Sequence, residues 1–290
     1  MSEETPITIA EAIAEAASAL RRAGVPAARL EAGSLLAHAI GRDRTFLIMH
    51  ADEPVAPTDL RGFRERVTRR AAGEPLQYIT GHQEFFGLDF EVTHDVLIPR
   101  PETELLVEQA LDLLGETHAP LVCDIGTGSG CIPVALLHGH RTARAIGVDV
   151  SPRALQVAAR NAARHSVSAR LSLVASDCFA ALNAAHARFR MIVSNPPYVA
   201  EPDLDGLQRE VRDHEPRVAL TPGGDGLGVI RRLLADSPEF LDAGGHLIFE
   251  IGFNQHAAVA DLIDPRVWTL IDLHKDLQGI PRTVVLRRAS

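Results

Sequence analysis

Lysine is almost absent from this 290-residue chain: Lys275 is the only one among 29 basic residues, and the others are arginines. A Walker-type phosphate loop needs a lysine beside its glycines, so that mode of nucleotide binding is excluded. Lysine covalent catalysis is confined to Lys275 for the same reason. Cysteine is scarce and odd in number. Cys123, Cys131 and Cys178 form no CxxC pair, which argues against a disulfide framework and against a thiolate zinc site. No apolar run is long enough to span a bilayer, so no membrane association is expected. The first twenty residues open on Glu3 and Glu4 and carry no basic-then-apolar leader pattern, so a reduced, cytoplasmic setting is expected. Excess positive charge is missing too. Acids outnumber bases 38 to 29, and a formal charge of −9 disfavours a protein that coats nucleic acid through its phosphates. His138-Gly139-His140 has metal-like spacing but no third ligand nearby, so it reads as surface and no metal site is expected.

What is present is ordinary globular composition, 46% hydrophobic and 23% charged, in a chain long enough for one large domain or two smaller ones. The first seventy-odd residues read as helices. Thr8 with Glu11 is a capping-box signature, followed by Ile9, Ile13, Ala16 and Leu20 on one face. A second helix is expected from about Ala27 to Ile40, with Leu30, Leu35, Leu36 and Ile40 as its stripe and Gly41 as its stop. A third follows Pro57-Thr58 and runs to Gly73 through Leu60, Phe63, Val67 and Ala71. Its arginines, Arg64, Arg66, Arg69 and Arg70, read as a solvated helix face and, if this bundle docks a protein, as the first place to look for contact. Leu76 to Thr80 and Phe85 to Val92 are rich in β-branched and aromatic residues and are expected to form a β-hairpin. Tyr78, Phe85, Phe86 and Phe90 cluster there, either as the packing of a linker or as a wall of the active site.

From Pro101 onward, strands and helices alternate. Seven strand-like runs begin at Leu121, Ala145, Leu171, Met191, His246, Trp268 and Arg282, with helical stretches such as Pro152–His165 and Leu227–Phe240 between them. Apolar strands separated by helices imply a mainly parallel sheet covered on both faces. The expected division is a helical domain over 1–73, a linker over 74–100 and an α/β domain over 101–290. Ligands bind such sheets at the carboxyl ends of the strands.

The first strand ends in Gly126-Thr127-Gly128-Ser129-Gly130, which is GxGxG and lacks the dinucleotide spacing. A packing turn would account for these glycines taken alone. The second strand closes on Asp149, where a carboxylate can accept from both ribose hydroxyls, and the third on Asp177-Cys178-Phe179, where an acid can meet an adenine amino group. Three such ends in succession describe an adenosine-containing ligand. The fourth ends in Asn195-Pro196-Pro197-Tyr198. Prolines donate no backbone hydrogen bond, so neighbouring carbonyls are free to accept. The set suits a planar NH2 group, its hydrogens on the Asn195 oxygen and the Pro196 carbonyl and its face on Tyr198.

At these residues the sequence resembles the class I S-adenosylmethionine-dependent methyltransferases, and within them the bacterial release-factor glutamine N5-methyltransferases (the PrmC/HemK family), over essentially the whole chain. Gly73–Gly81, Leu97–Glu104, Glu215-Pro216-Arg217, Ala219-Leu220, Gly223–Leu227 and Phe249–Gly252 with Gln255 carry the likeness beside the strand ends. A local difference is Cys178, where some relatives carry a larger residue. The resemblance implies a Rossmann-like, mainly parallel seven-stranded sheet with an N-terminal helical bundle that binds substrate. It implies S-adenosyl-L-methionine as cofactor, left as S-adenosyl-L-homocysteine. Gly126, Thr127, Gly128, Ser129 and Gly130 would pass under its methionine part, Asp149 would hold the ribose, and Asp177, Cys178 and Phe179 would border the adenine. Asn195 would touch cofactor and substrate, Pro196, Pro197 and Tyr198 would complete the grip on a glutamine amide, and Asn195, Pro196 and Tyr198 would be the catalytic set. The Pro99-Arg100-Pro101 segment would lie over the site. The partner implied is the Gly-Gly-Gln motif of peptide chain release factors, met by a monomer with no direct nucleic-acid contact. A glutamine methyltransferase acting on a ribosomal protein and a DNA adenine N6-methyltransferase are the alternatives.

Overall fold

The structure is a computed structural model that describes residues 6–185 and 188–289, so Glu3 and Glu4 lie outside the described residues. The chain forms two compact units. One comprises the residues up to Gly81 together with Arg209–His214, and the other comprises 82–208 and 215–290.

The first unit is helical: α1 (Ile9–Arg22), α2 (Ala28–Ile40), α3 (Arg44–Met49), α4 (Pro57–Ala71) and α5 (Leu76–Thr80). The Thr8–Glu11 capping box starts α1 as expected, and Gly41, at φ +64°, ends α2 in the left-handed conformation. Leu20, Leu35, Leu36 and Phe63 meet in the core, whereas Leu30, expected on the buried stripe, is 47% exposed. Residues 76–80 are a helical turn and not a strand. Pro75 opens it, Gly81 at φ +79° closes it, and the apolar side chains of Tyr78 and Ile79 are used for burial. β-Branched and aromatic composition reports packing there and not extension.

The second unit opens on the hairpin of β1 (His82–Phe85) and β2 (Leu88–Glu91). Phe86 (φ +53°) and Gly87 (φ +71°) make its two-residue turn, the conformation that matches strand twist. Phe85 and Phe90 meet edge to face, with centroids 6.1 Å apart, in the core of this unit, so of the two readings of the aromatic cluster packing holds for them. After α6 (Glu104–Leu114) come β3 (Leu121–Ile125), α7 (Cys131–Gly139), β4 (Arg144–Asp149), α8 (Pro152–Arg164), β5 (Leu171–Ala175) and β6 (Phe189–Ser194). Past α9 (Arg209–His214), which belongs to the first unit, the short α10 (Arg217–Leu220) precedes α11 (Gly228–Phe240), β7 (Leu241–Glu250), α12 (His256–Leu262), β8 (Trp268–Lys275) and β9 (Pro281–Arg288). Seven strands form one sheet in the order β5-β4-β3-β6-β7-β9-β8, parallel except for β9, which runs antiparallel to both its neighbours.

The central strands are apolar because both faces are covered: Val122, Cys123, Met191, Ile192, Val193, Leu247, Ile248 and Phe249 are each 0–1% exposed. Strand order reverses between β4-β3 and β6-β7, which opens a crevice at the carboxyl ends of β3 and β6. Register then sets the neighbours at that crevice. Asp149 pairs with Ala175, and Ser194 pairs with Phe249, so the next residues, Asn195 and Glu250, come off adjacent strands side by side.

Candidate active site

A cavity of about 590 Å³ opens at those strand ends, within the range of small-molecule sites. Gly126, Thr127, Gly128 and Ser129 line it, as do Asp149, Asp177 and Cys178, and Asn195, Pro196 and Pro197. Gly130, Phe179 and Tyr198 are not among its lining residues. Gly130 sits where α7 meets α8: at φ +78°, a Cβ there would come 3.0 Å from the Cβ of Ala158. Phe179 stacks on Phe240, centroids 4.9 Å apart, in the apolar core. The hydrophobic side chain follows its own burial, which adjacency in sequence to Asp177 does not override. Tyr198 turns its hydroxyl to Glu250.

The glycine turn is held from beneath. The Gly126 and Thr127 amides both donate to the Val148 carbonyl, at 2.8 and 2.9 Å. The Asp149 carboxylate accepts from Gly128 N–H and Ser151 N–H, each at 2.8 Å, and retains lone pairs for further donors. Asn161, fully buried on α8, donates to the carbonyls of Ser129 and Glu91 and accepts from Glu91 N–H, which ties the turn to the hairpin. Under the turn lies Asp124, 0% exposed, with neither carboxylate oxygen in a hydrogen bond of good geometry. Burial pushes its carboxyl up to about 7; the Thr127 hydroxyl opposes that shift, and the negative charge of Asp149 adds to it. Burial likewise raises the Asp149 carboxyl, against the pull of its backbone donors.

At the third strand end, Arg232 on α11 holds the Asp177 carboxylate at 2.6 Å and the Asp177 carbonyl at 3.1 Å. Cys178 beside it has φ +47°, and burial raises its thiol. The three cysteines are all free. Across the cavity, Arg100 donates to the buried Glu215 at 2.6 Å, which fastens the Pro99-Arg100-Pro101 segment to the Glu215-Pro216-Arg217 segment. Both segments contribute lining residues.

At the fourth end, the Asn195 Nδ2 donates to Thr103 Oγ1 at 2.8 Å. Thr103 Oγ1 donates to Glu250 Oε2 at 2.6 Å, and the Tyr198 hydroxyl donates to Glu250 Oε1 at 3.1 Å. Burial raises the Glu250 carboxyl, with the Thr103 and Tyr198 hydroxyls pulling the other way. The Tyr198 carbonyl accepts from Gln255 Nε2 at 2.9 Å, and Gly226, at φ +80°, lies so close beneath that carbonyl that a Cβ would collide with it. Asp124, Thr103, Glu250 and Arg232 were not singled out from the sequence. The available signal was a charged or polar residue ending or flanking an apolar run, as Glu250 does after Leu247-Ile248-Phe249.

Among the described residues no group of His, Cys, Asp and Glu could hold a metal ion, and no helix is long and apolar enough to cross a membrane. Residues 11–81 match the family described as PrmC N-terminal domain, and residues 101–267 match the Methyltransferase small domain. A release factor glutamine methyltransferase of Geobacter sulfurreducens is 46% identical over 91% of this chain and 91% of its own length. That of Koribacter versatilis is 41% identical over 98% of this chain and 100% of its own. A methyltransferase from Pyrococcus furiosus shares the fold with a TM-score of 0.53 at 14% identity, over 78% of this chain and 99% of that one. The hMettl16 catalytic domain, solved in complex with the MAT2A 3'UTR hairpin 6, also gives 0.53, at 19% identity over 78% and 82% of the two chains.

Proposed function

Because the chain belongs to the release factor glutamine methyltransferase family, we infer that it methylates the side-chain amide nitrogen (N5) of the glutamine in the Gly-Gly-Gln motif of a peptide chain release factor. The observation that carries this reading is that Asn195, Pro196 and Pro197 share one cavity with the glycine turn and Asp149. An amide-binding edge and an adenosine-binding edge then face the same space.

S-adenosyl-L-methionine, when bound, supplies a methyl group on a positively charged sulfur and leaves as S-adenosyl-L-homocysteine. The residues present fit it. Asp124 holds two unpartnered carboxylate oxygens beneath the glycine turn, behind the residues that line the cavity, an acceptor reserve of the kind an ammonium group requires. Gly126 and Gly128 let backbone approach without side chains, since nothing but the Asn195 carbonyl comes within 4 Å of a Cβ built at either. Asp149 is anchored by two amides and keeps acceptor capacity for ribose hydroxyls. Asp177, set by Arg232, and Cys178 border the third strand end, where an adenine amino group would meet a carboxylate.

An amide nitrogen is a weak nucleophile because its lone pair is delocalised into the carbonyl. The Asn195 Oδ1 and the Pro196 carbonyl would accept its two hydrogens, which aims the nitrogen and draws charge onto it. Orientation and preorganised dipoles are the main catalytic effects. Neither Asn195 nor the Pro196 carbonyl takes a proton, so the proton leaves the methylated nitrogen to solvent after methyl transfer. The net charge of −9 favours a protein substrate over a nucleic acid. The test is incubation with labelled S-adenosyl-L-methionine and purified release factor, ribosomal proteins or plasmid DNA, with mass spectrometry of the products. Label on the Gly-Gly-Gln glutamine is expected; label confined to DNA or to a ribosomal protein would overturn the reading.

A further inference from the structure

We propose that Glu250 is a positioning residue for methyl transfer: through Thr103 it fixes which way round the Asn195 carboxamide lies. The inference rests on the amide-methylating reading of the site and concerns residues to which that reading gives no part. Glu250 is the last residue of β7 and is 2% exposed, and Thr103 is also 2% exposed. Both are held within the protein, Thr103 at the wall of the cavity and Glu250 behind it.

The argument is a count of protons. A threonine hydroxyl has one hydrogen and two lone pairs. Against the upward push of burial, the Thr103 and Tyr198 hydroxyls and the Arg282 charge favour the ionised form of Glu250. As a carboxylate it can only accept, so the Thr103 hydrogen is committed to Glu250 Oε2, at 2.6 Å. What Thr103 then presents to Asn195 is lone pairs alone, 2.8 Å away. Only the NH2 end of the Asn195 carboxamide can fill that position, because the reversed amide would set oxygen against oxygen. With NH2 held on Thr103, the Asn195 oxygen is left for the substrate, as the grip on an amide NH2 requires. The second carboxylate oxygen accepts from the Tyr198 hydroxyl at 3.1 Å. One buried carboxylate therefore ties down both ends of the 195–198 segment, and the pairing of Ser194 with Phe249 puts it within reach.

Glutamine at position 250 keeps the shape but offers one acceptor and one donor in place of two acceptors. When its NH2 end faces Thr103, the Thr103 hydrogen is freed to point at Asn195, and the reversed carboxamide, which presents NH2 to the substrate NH2, becomes accessible. The experiment compares Thr103→Val, Thr103→Ser and Glu250→Gln in the full-length protein, reading kcat and KM for a release factor, cofactor binding by calorimetry and thermal unfolding. Expected are losses in kcat of roughly 10- to 100-fold for Thr103→Val and Glu250→Gln, the size of one hydrogen bond to a charged group. Cofactor affinity should stay within about twofold, Thr103→Ser should recover the rate, and Thr103→Val with Glu250→Gln should lose less than the product of the single losses. A Thr103→Val rate within about twofold of wild type, or a Thr103→Ser loss equal to that of Thr103→Val, overturns the proposal, and both comparisons stand even if Glu250→Gln unfolds. Failure of the wild-type protein to methylate any release factor would instead strike the reading beneath it.

Discussion

Replacing Asn195 with alanine removes one acceptor and leaves the glycine turn, Asp124 and Asp149 in place. S-adenosyl-L-methionine affinity should change little while kcat falls by about two orders of magnitude or more, the usual effect of deleting a preorganised polar group. Calorimetry beside single-turnover methylation separates the two, and equal losses in both would remove Asn195 from the chemistry. Asp124 carries a different expectation. Its carboxyl titrates near 3.8 in an unfolded chain and near 7 when folded, so the native state holds a proton that the unfolded state releases. The stabilisation is complete below about pH 4 and is lost as pH rises toward 7, on the order of 1.4 kcal/mol per pH unit in that window. Asp124→Asn should flatten that slope in denaturant titrations of the unliganded protein. Strand-end glycines and acids could be read from the sequence because spacing alone positions them. Thr103 and Glu250 could not, since they lie 147 residues apart and meet only through sheet register. Asp177 lines the cavity, and its ion pair with Arg232 depends on α11, which no local pattern connects to it.

Helix α4 shows how far composition misleads about an element's surroundings. Its arginines read as a solvated face, yet Arg70 is 6% exposed and bonds Glu31 on α2 and Glu210 on α9, while Arg69 bonds Glu74. Breaking a buried pair strands the remaining charges, so Arg70→Leu should cost about 3–5 kcal/mol. The loss would appear in the unfolding of the helical unit, followed by hydrogen exchange in α2 and α4. The long amphipathic helices were legible because periodicity over ten or more residues is a strong signal, and the strands of the sheet because short apolar runs alternate with helical stretches. The short elements were not. α3, α5, α9 and α10 have four to six residues each, too few for a period to show, and the composition of α5 points to a strand where the chain makes a helical turn. The hairpin fell closer to expectation because Phe86-Gly87 supplies turn chemistry where Pro75 and Gly81 supply helix ends.

Across the whole molecule, the alternation of strands and helices predicted a mainly parallel sheet, and the comparisons bear out both the fold and the family. The division at residues 73 and 100 followed composition. Packing instead carries the first unit to Gly81 and draws Arg209–His214 into it from the far side of the Asn195–Tyr198 segment. That return has a consequence for how the protein is made. A unit whose final piece ends at residue 214 of 290 is not complete when its first 81 residues leave the ribosome. Until then the Arg70 guanidinium has Glu31 but not Glu210. Domains ordinarily fold as units in the order of synthesis. Here α9 and its Glu210 reach the bundle only after residue 214 is made, so a fragment ending at Gly81 should unfold at a lower denaturant concentration than the same unit in the intact chain. The bundle is therefore not separable as a prefix: cutting the chain at Gly81 leaves six of its residues, Arg209–His214, behind in the remainder.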